Sequence, residues 1–162
     1  MIVGNENIAG IFNIFHDGAI SRADLIDEVL RLEIEISYLA ERIDPSYTRF
    51  IAAFQNARDI EFSTWPRDRS AEPRKLTSIL DIFVPEIESA PEILSAEVED
   101  DRIAAVLSQD FQACDFSGGY LRFRADSAIV SDESGRLYTM LELEELCAGY
   151  WDEWEQSKTP SG

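Results

Sequence analysis

Histidine is nearly missing from this sequence. His16 is the single imidazole in 162 residues, and cysteine is scarce, with only Cys114 and Cys147. The two thiols share no metal or redox spacing, so zinc, whose sites need closely spaced Cys and His ligands, has no candidate ligand set. They read as free thiols of a reducing compartment. Base-assisted nucleophilic catalysis has only His16 to draw on, and a histidine beside the turn residue Asp17 is better read as a capping or hydrogen-bonding group. Long apolar runs are also missing. None approaches the roughly 18–20 residues of a membrane span, and MIVGNENIAGIF has no basic segment ahead of its apolar residues, unlike a secretory leader. A cytoplasmic location is the expectation. Gly118-Gly119 is not followed by a Lys-Ser pair, so it is no phosphate loop.

Positive charge is the remaining shortage. Fourteen Lys and Arg stand against 32 Asp and Glu, a formal net charge of −18. A nucleic-acid binder needs clustered basic side chains to displace counterions, whereas this chain repels phosphate; anionic membrane surfaces are disfavoured for the same reason. The acidity serves solubility in any case. It also suits a basic partner, because complementary potential speeds encounter. Glu97, Glu99, Asp100 and Asp101 could attract calcium, but they lack the glycine and the ligand periodicity of a calcium loop and read as a solvated turn. No metal, cofactor or catalytic residue is assigned.

What is present is alternation. In Leu30–Leu39, Leu30, Leu32, Ile34, Ile36 and Tyr38 alternate with Arg31, Glu33, Glu35 and Ser37, the period of a strand with one apolar and one charged face. Ile8–Phe15 is read as a strand apolar on both faces, and His16-Asp17-Gly18 as a turn. Ser21–Val29 fits either a helix or a hairpin turning at Asp27-Glu28; the plain strand that follows favours the hairpin. Phe50–Phe54, Asp59–Trp65, Glu92–Glu99, Arg102–Ser108, Tyr120–Ala125, Ser127–Ser131 and Arg136–Tyr138 read as further strands. Pro66–Arg74 reads as a surface loop, and Leu76–Val84 as a short helix or turn closed by Pro85.

The C-terminal segment is the clearest helix. Thr139 and Glu142 have capping-box spacing. Leu143, Leu146, Cys147, Tyr150, Trp151 and Trp154 form an apolar stripe at helical period. Burial of its two tryptophans, tyrosine and two leucines is worth on the order of 8–12 kcal/mol before entropy. The sequence thus predicts a single α+β domain over 1–162. Its core is a mostly antiparallel, twisted sheet of short strands with the C-terminal helix packed on one face, and 1–7 and 157–162 are loose tails.

FHDG, LEIEISYLAERI, IEFSTW, GGYLRF and YWDEW, in this order, resemble the layout of small acidic bacterial proteins. Many proteins of this kind are immunity proteins that neutralise a toxin. The resemblance implies a non-enzymatic, acidic protein-binding module, an immunity-type inhibitor of a basic toxin or enzyme. Its candidate partner surface is Glu33, Glu35, Glu142, Glu145, Asp152, Glu153 and Glu155, with Trp65 as a part-exposed aromatic. The alternative is a small ligand-binding or enzymatic domain whose pocket lies between sheet and helix, lined by His16, Tyr38 or Tyr120. A third reading is a subunit of a homo-oligomer.

Overall fold

A computed structural model describes residues 1–84 and 90–158. Pro85 and the end of the expected 157–162 tail lie outside the described residues, as does the Lys158 side chain. The elements are β1 (Ile2–Val3), α1 (Asn5–Ile14), β2 (Ala19–Ile26), β3 (Val29–Glu35), α2 (Ser37–Ala40), β4 (Arg49–Gln55), β5 (Arg58–Pro66), β6 (Lys75–Leu76), α3 (Ile79–Ile82), β7 (Glu92–Glu99), β8 (Arg102–Ser108), β9 (Phe116–Arg124), β10 (Ser127–Ser131), β11 (Leu137–Tyr138) and α4 (Met140–Lys158). The strands form one open antiparallel sheet in the order β1-β10-β4-β3-β2-β7-β8-β9-β5-β6, with β11 added beside β10. The expected α+β class is the observed one.

The sheet has two well-paired halves with a narrow seam. β2 and β7 share one residue pair, Ala19↔Glu92, supplemented by bonds such as Ile20 N–H to the Pro91 carbonyl at 2.8 Å. Beyond the seam, Asn13 of α1 takes over the pairing of β7. Its side-chain amide accepts from Ala96 N–H at 2.8 Å and donates to Ala96 O at 2.9 Å. The edge is closed by a side chain instead of a strand.

The halves curl around α1. Although β3, β2, β7 and β8 lie between β4 and β9 in the sheet order, Phe54 of β4 and Phe123 of β9 touch, their centroids 5.1 Å apart. Phe12 sits between them, stacked on Phe54 at 5.4 Å and edge-on to Phe123 at 6.0 Å. With Phe15 and Phe50 these rings fill the centre of the core, all of them 0% exposed.

The sequence reading is corrected at three places. Ile8–Phe15 is helical through Ile14. Ile8, Ile11, Phe12 and Phe15 are all buried, and their i, i+3, i+4, i+7 spacing is that of a helix face. A helix enclosed by a curled sheet is apolar on most sides, which imitates a two-faced buried strand. Second, the strand expected over Leu30–Leu39 stops at Glu35, and Ser37–Ala40 turns helical, so Tyr38 leaves the sheet. Third, the amino-terminal residues are not a loose tail. Ile2 pairs with Ala128 and is buried.

The hairpin reading of Ser21–Val29 holds, with its turn at Asp27 and Glu28, both at positive φ. Gly118 and Gly119 lie within β9 instead of ahead of it. A Cβ on either would collide with a backbone carbonyl, of Leu107 or Ser63 respectively, so the two glycines are what lets β9 lie this close to its neighbours.

α4 opens with the expected box. Thr139 N–H donates to Glu142 Oε1 at 3.0 Å, and Glu142 N–H donates to Thr139 Oγ1 at 3.1 Å. Thr139→Ala should cost about 1 kcal/mol, read as a lower urea midpoint at unchanged slope. The helix is well anchored at its start, where Leu143 is 0% exposed. Toward its end the stripe is shallower than expected: Trp151 is half-buried and Trp154 is 40% exposed. No described helix is long and apolar enough to cross a membrane.

Candidate functional site

The placement of positive charge decides which carboxylates face solvent unpaired. Strand arginines meet acids of the sheet: Arg22 with Asp24 and Arg31 with Glu33 along one strand, Arg124 with Asp59 on the adjacent strand, and Arg102 with Glu61 and Arg122 with Glu99 across an intervening strand. Arg58 pairs with Asp126 and Arg74 with Asp115 across connections. Arg67 is held by the carbonyls of Gln109, Phe111 and Cys114. Most of the described arginines are thus paired with acids or carbonyls of the chain itself, many of them at the surface.

The residues expected to form one partner surface separate into three places. Glu33 and Glu35 project from β3 on the face opposite the buried Leu32 and Ile34. They are partly neutralised, Glu33 by Arg31 at 3.0 Å and Arg49 at 3.6 Å, and Glu35 by Arg49 at 3.4 Å. Trp65 is half-buried on β5, edge-on to Tyr120 at 5.4 Å, where Arg122 covers the Tyr120 ring. The rest are on α4.

On α4 the acids differ in role. Glu142 belongs to the capping box and to a 2.9 Å bond from Arg136. The Thr139 N–H bond, with lesser help from the Thr139 hydroxyl and Arg136, holds its carboxyl below the usual range. Glu153 is gripped by both Nη atoms of Arg42, which lowers its pKa likewise. Glu145 and Asp152 are exposed and have no ion pair among the described residues. Glu144 shares that condition and that face, and the sequence reading passed over it. Glu155 is exposed farther along the helix. The outward face of α4 therefore carries Glu144, Glu145, Asp152 and Glu155, with Leu141 exposed at its start.

Two of the concavities involve residues singled out above. The larger, about 660 Å³, lies over the outer face of β2, β3 and β4. One wall is polar, with Arg22, Asp24, Glu33, Glu35 and Arg49. The other is apolar, with Leu80, Phe83 and Val84 of the α3 segment and Pro91. Arg49 is unusual here. Its contacts to Glu33, Glu35 and Glu133 run from 3.4 to 3.8 Å, and its Nε is sealed from solvent yet donates no hydrogen bond. The second concavity, by Tyr38, Arg42, Tyr150 and Glu153, lies at the α2–α4 junction. There His16 stacks on Trp151 at 5.7 Å and Tyr38 packs on Tyr150 at 4.5 Å. The Tyr38 hydroxyl donates to the His16 carbonyl at 3.0 Å. Burial, aided by the charge of Asp17, pushes that phenol up to about 12, and burial raises the Cys147 thiol nearby.

The space between sheet and helices is filled by the phenylalanine core; of His16, Tyr38 and Tyr120, expected to line a pocket there, Tyr38 lines the concavity at the α2–α4 junction instead. Both thiols are free. Among the described residues no group of three His, Cys, Asp or Glu is arranged to hold a metal ion. The chain matches no protein-family model, no curated protein and no solved structure.

Proposed function

We propose that this chain is a non-enzymatic binding protein for a basic protein partner, an immunity-type inhibitor of a basic toxin or enzyme, and that it presents the outward face of α4. The observation behind this reading is that most described arginines are paired with the chain's own acids or carbonyls, while Glu144, Glu145 and Asp152 have no ion pair among the described residues. Charges already paired across strands contribute little at long range. Unpaired carboxylates on one rigid helix set the local potential and steer an approaching cationic surface. Inhibition would be steric, with electrostatics setting the encounter rate. Glu33 and Glu35, half-neutralised on another face, belong to a different part of the surface.

The test is affinity capture from the native cell with the wild-type chain and with the triple variant Glu144→Gln, Glu145→Gln, Asp152→Asn, followed by association kinetics of the captured protein. The variant should associate about tenfold more slowly at low salt, with a flatter salt dependence. A basic partner whose association rate and salt slope are untouched by the triple variant removes the reading.

A further inference from the structure

We propose that His16 is a pH-sensitive latch on the distal half of α4. The latch stands whether or not α4 meets a basic partner. α4 is buried at its start by Leu143, whereas residues 152–157 are all exposed. Contacts from the body of the fold reach this half at its near end. Arg42, just past α2, bonds Glu153 at 3.2 Å, and Tyr38 of α2 packs on Tyr150 at 4.5 Å. His16 lies nearly flat on Trp151, with 5.7 Å between centroids and 11° between planes. Trp154 in turn meets Trp151 edge-on at 5.5 Å. Histidine is the side-chain type whose charge ordinarily changes between about pH 5 and 8, so the strength of one of these contacts depends on pH.

The ring's surroundings give the direction. α1 ends at Ile14, and His16 folds back on it, with Nδ1 2.8 Å from the Asn13 carbonyl. A carbonyl only accepts, so Nδ1 carries the hydrogen and Nε2 is the basic nitrogen. Nε2 lies 3.8 Å from Asp17 Oδ2, and the His16 side chain is 32% exposed, open to protons from solvent. A proton at Nε2 makes a cation in a place that favours one. The carbonyl end of α1 attracts positive charge, and no basic residue lies in its last turn. Asp17 supplies a carboxylate and has no other ion pair among the described residues. The indole face of Trp151 is the best aromatic surface for a cation. The other titratable groups here do not compete. The Tyr38 phenol bonds the His16 carbonyl and not the ring, burial raises the Cys147 thiol and keeps it neutral, Glu153 is taken by Arg42, and Asp152 is exposed. Protonated, His16 holds Trp151 by charge as well as by packing, and through Trp151 the turn that follows. The added hold is present in the acid half of the window and is lost as pH rises.

The experiment is amide hydrogen exchange on the full chain, read residue by residue by NMR at about pH 5.5 and about pH 8, each rate corrected for its intrinsic value at that pH. Wild type is compared with His16→Gln, which stays neutral, and with His16→Arg, a permanent cation that also stacks on indole. In wild type the amides from Tyr150 to Glu155 should be about three- to tenfold better protected at the lower pH. His16→Gln should show the weaker protection at both pH values and His16→Arg the stronger at both, while the amides of β3 and β4 keep one ratio across the three proteins. Should the arginine variant not fold, the comparison of wild type with His16→Gln decides alone. Equal protection of distal α4 in wild type and His16→Gln at both pH values overturns the latch. So does an acid gain of the same size in His16→Gln, which would assign it to the carboxylates, or a gain spread evenly over β3 and β4, which would make it a change in global stability.

Discussion

Phe12→Ala should lower stability by about 3–5 kcal/mol, the range for removing a fully buried phenylalanine whose cavity cannot collapse. Phe12 is the ring on which both halves of the sheet close, stacked on Phe54 and edge-on to Phe123. Collapse would require the halves to move toward each other. They are fixed at β2–β7 on one side and by short connections on the other, where Asp126 binds Asn56 at 2.8 Å and Arg58 at 3.0 Å. The cavity should therefore persist and carry its full cost. Because domains of this size are stable by about 5–15 kcal/mol, the loss is a large share of the total. Phe12→Leu keeps most of the volume and should cost roughly 1.5 kcal/mol. Urea denaturation of the three proteins decides it. A Phe12→Ala cost below that of Phe12→Leu would mean that the ring does not hold the halves together.

Phe12 also shows where legibility ended. Its neighbours satisfy two periods at once. Ile and Phe favour strands, and IAGIFNIF fits a two-faced buried strand as easily as a helix enclosed on most sides. What separates the two is the partner, a curled sheet, and that is a property of distant residues. β3, a strand with one wet face, was legible because water imposes a strict period of two on it. Hairpins at Asp27-Glu28 and Asp100-Asp101 were legible because short acidic turns tolerate left-handed backbone. The α4 start was legible because capping is local.

The surface was less legible than the fold. A list of acids on strands and helix does not say which of them already has an arginine. Glu33 and Glu35 looked like open charge and are flanked by Arg31 and Arg49, the second of which lies on another strand. Glu144 looked like one more helix acid and is among those left unpaired. Cross-strand register decides this, and register depends on the whole sheet.

Asp132→Ala should cost about 3 kcal/mol, from the lost bonds of a buried charge and the orphaned groups left behind. Asp132 lies in the connection between β10 and β11, yet it is buried. Its Oδ1 accepts from Ser134 N–H at 2.8 Å, Ser134 Oγ at 2.6 Å and Arg136 N–H at 3.2 Å, and its Oδ2 accepts from the Tyr138 hydroxyl at 2.7 Å. Burial alone would raise this carboxyl; the bonds from Ser134, Tyr138 and Arg136 outweigh it and hold it below its ordinary value. The sign follows. A carboxyl lowered in the folded state adds stability above its unfolded pKa of about 3.9 and loses it as pH falls through the lower folded value. Asp132→Asn keeps the shape and removes the titration, so the gap between wild type and variant should be widest near neutrality and narrow in acid. Comparing the two at each pH cancels the relief of general repulsion that protonation brings to a chain of charge −18. Tyr138 works at the other end. Burial and then the Asp132 bond raise its phenol, so its contribution is present below about pH 10 and is lost as the unfolded chain ionises. Tyr138→Phe should cost about 1–2 kcal/mol and be less than additive with Asp132→Ala, because the two changes remove the same bond. Strict additivity in urea midpoints, or a pH-independent gap between wild type and Asp132→Asn, would show that the buried carboxylate is not what ties β11 and the start of α4 to the edge of the sheet.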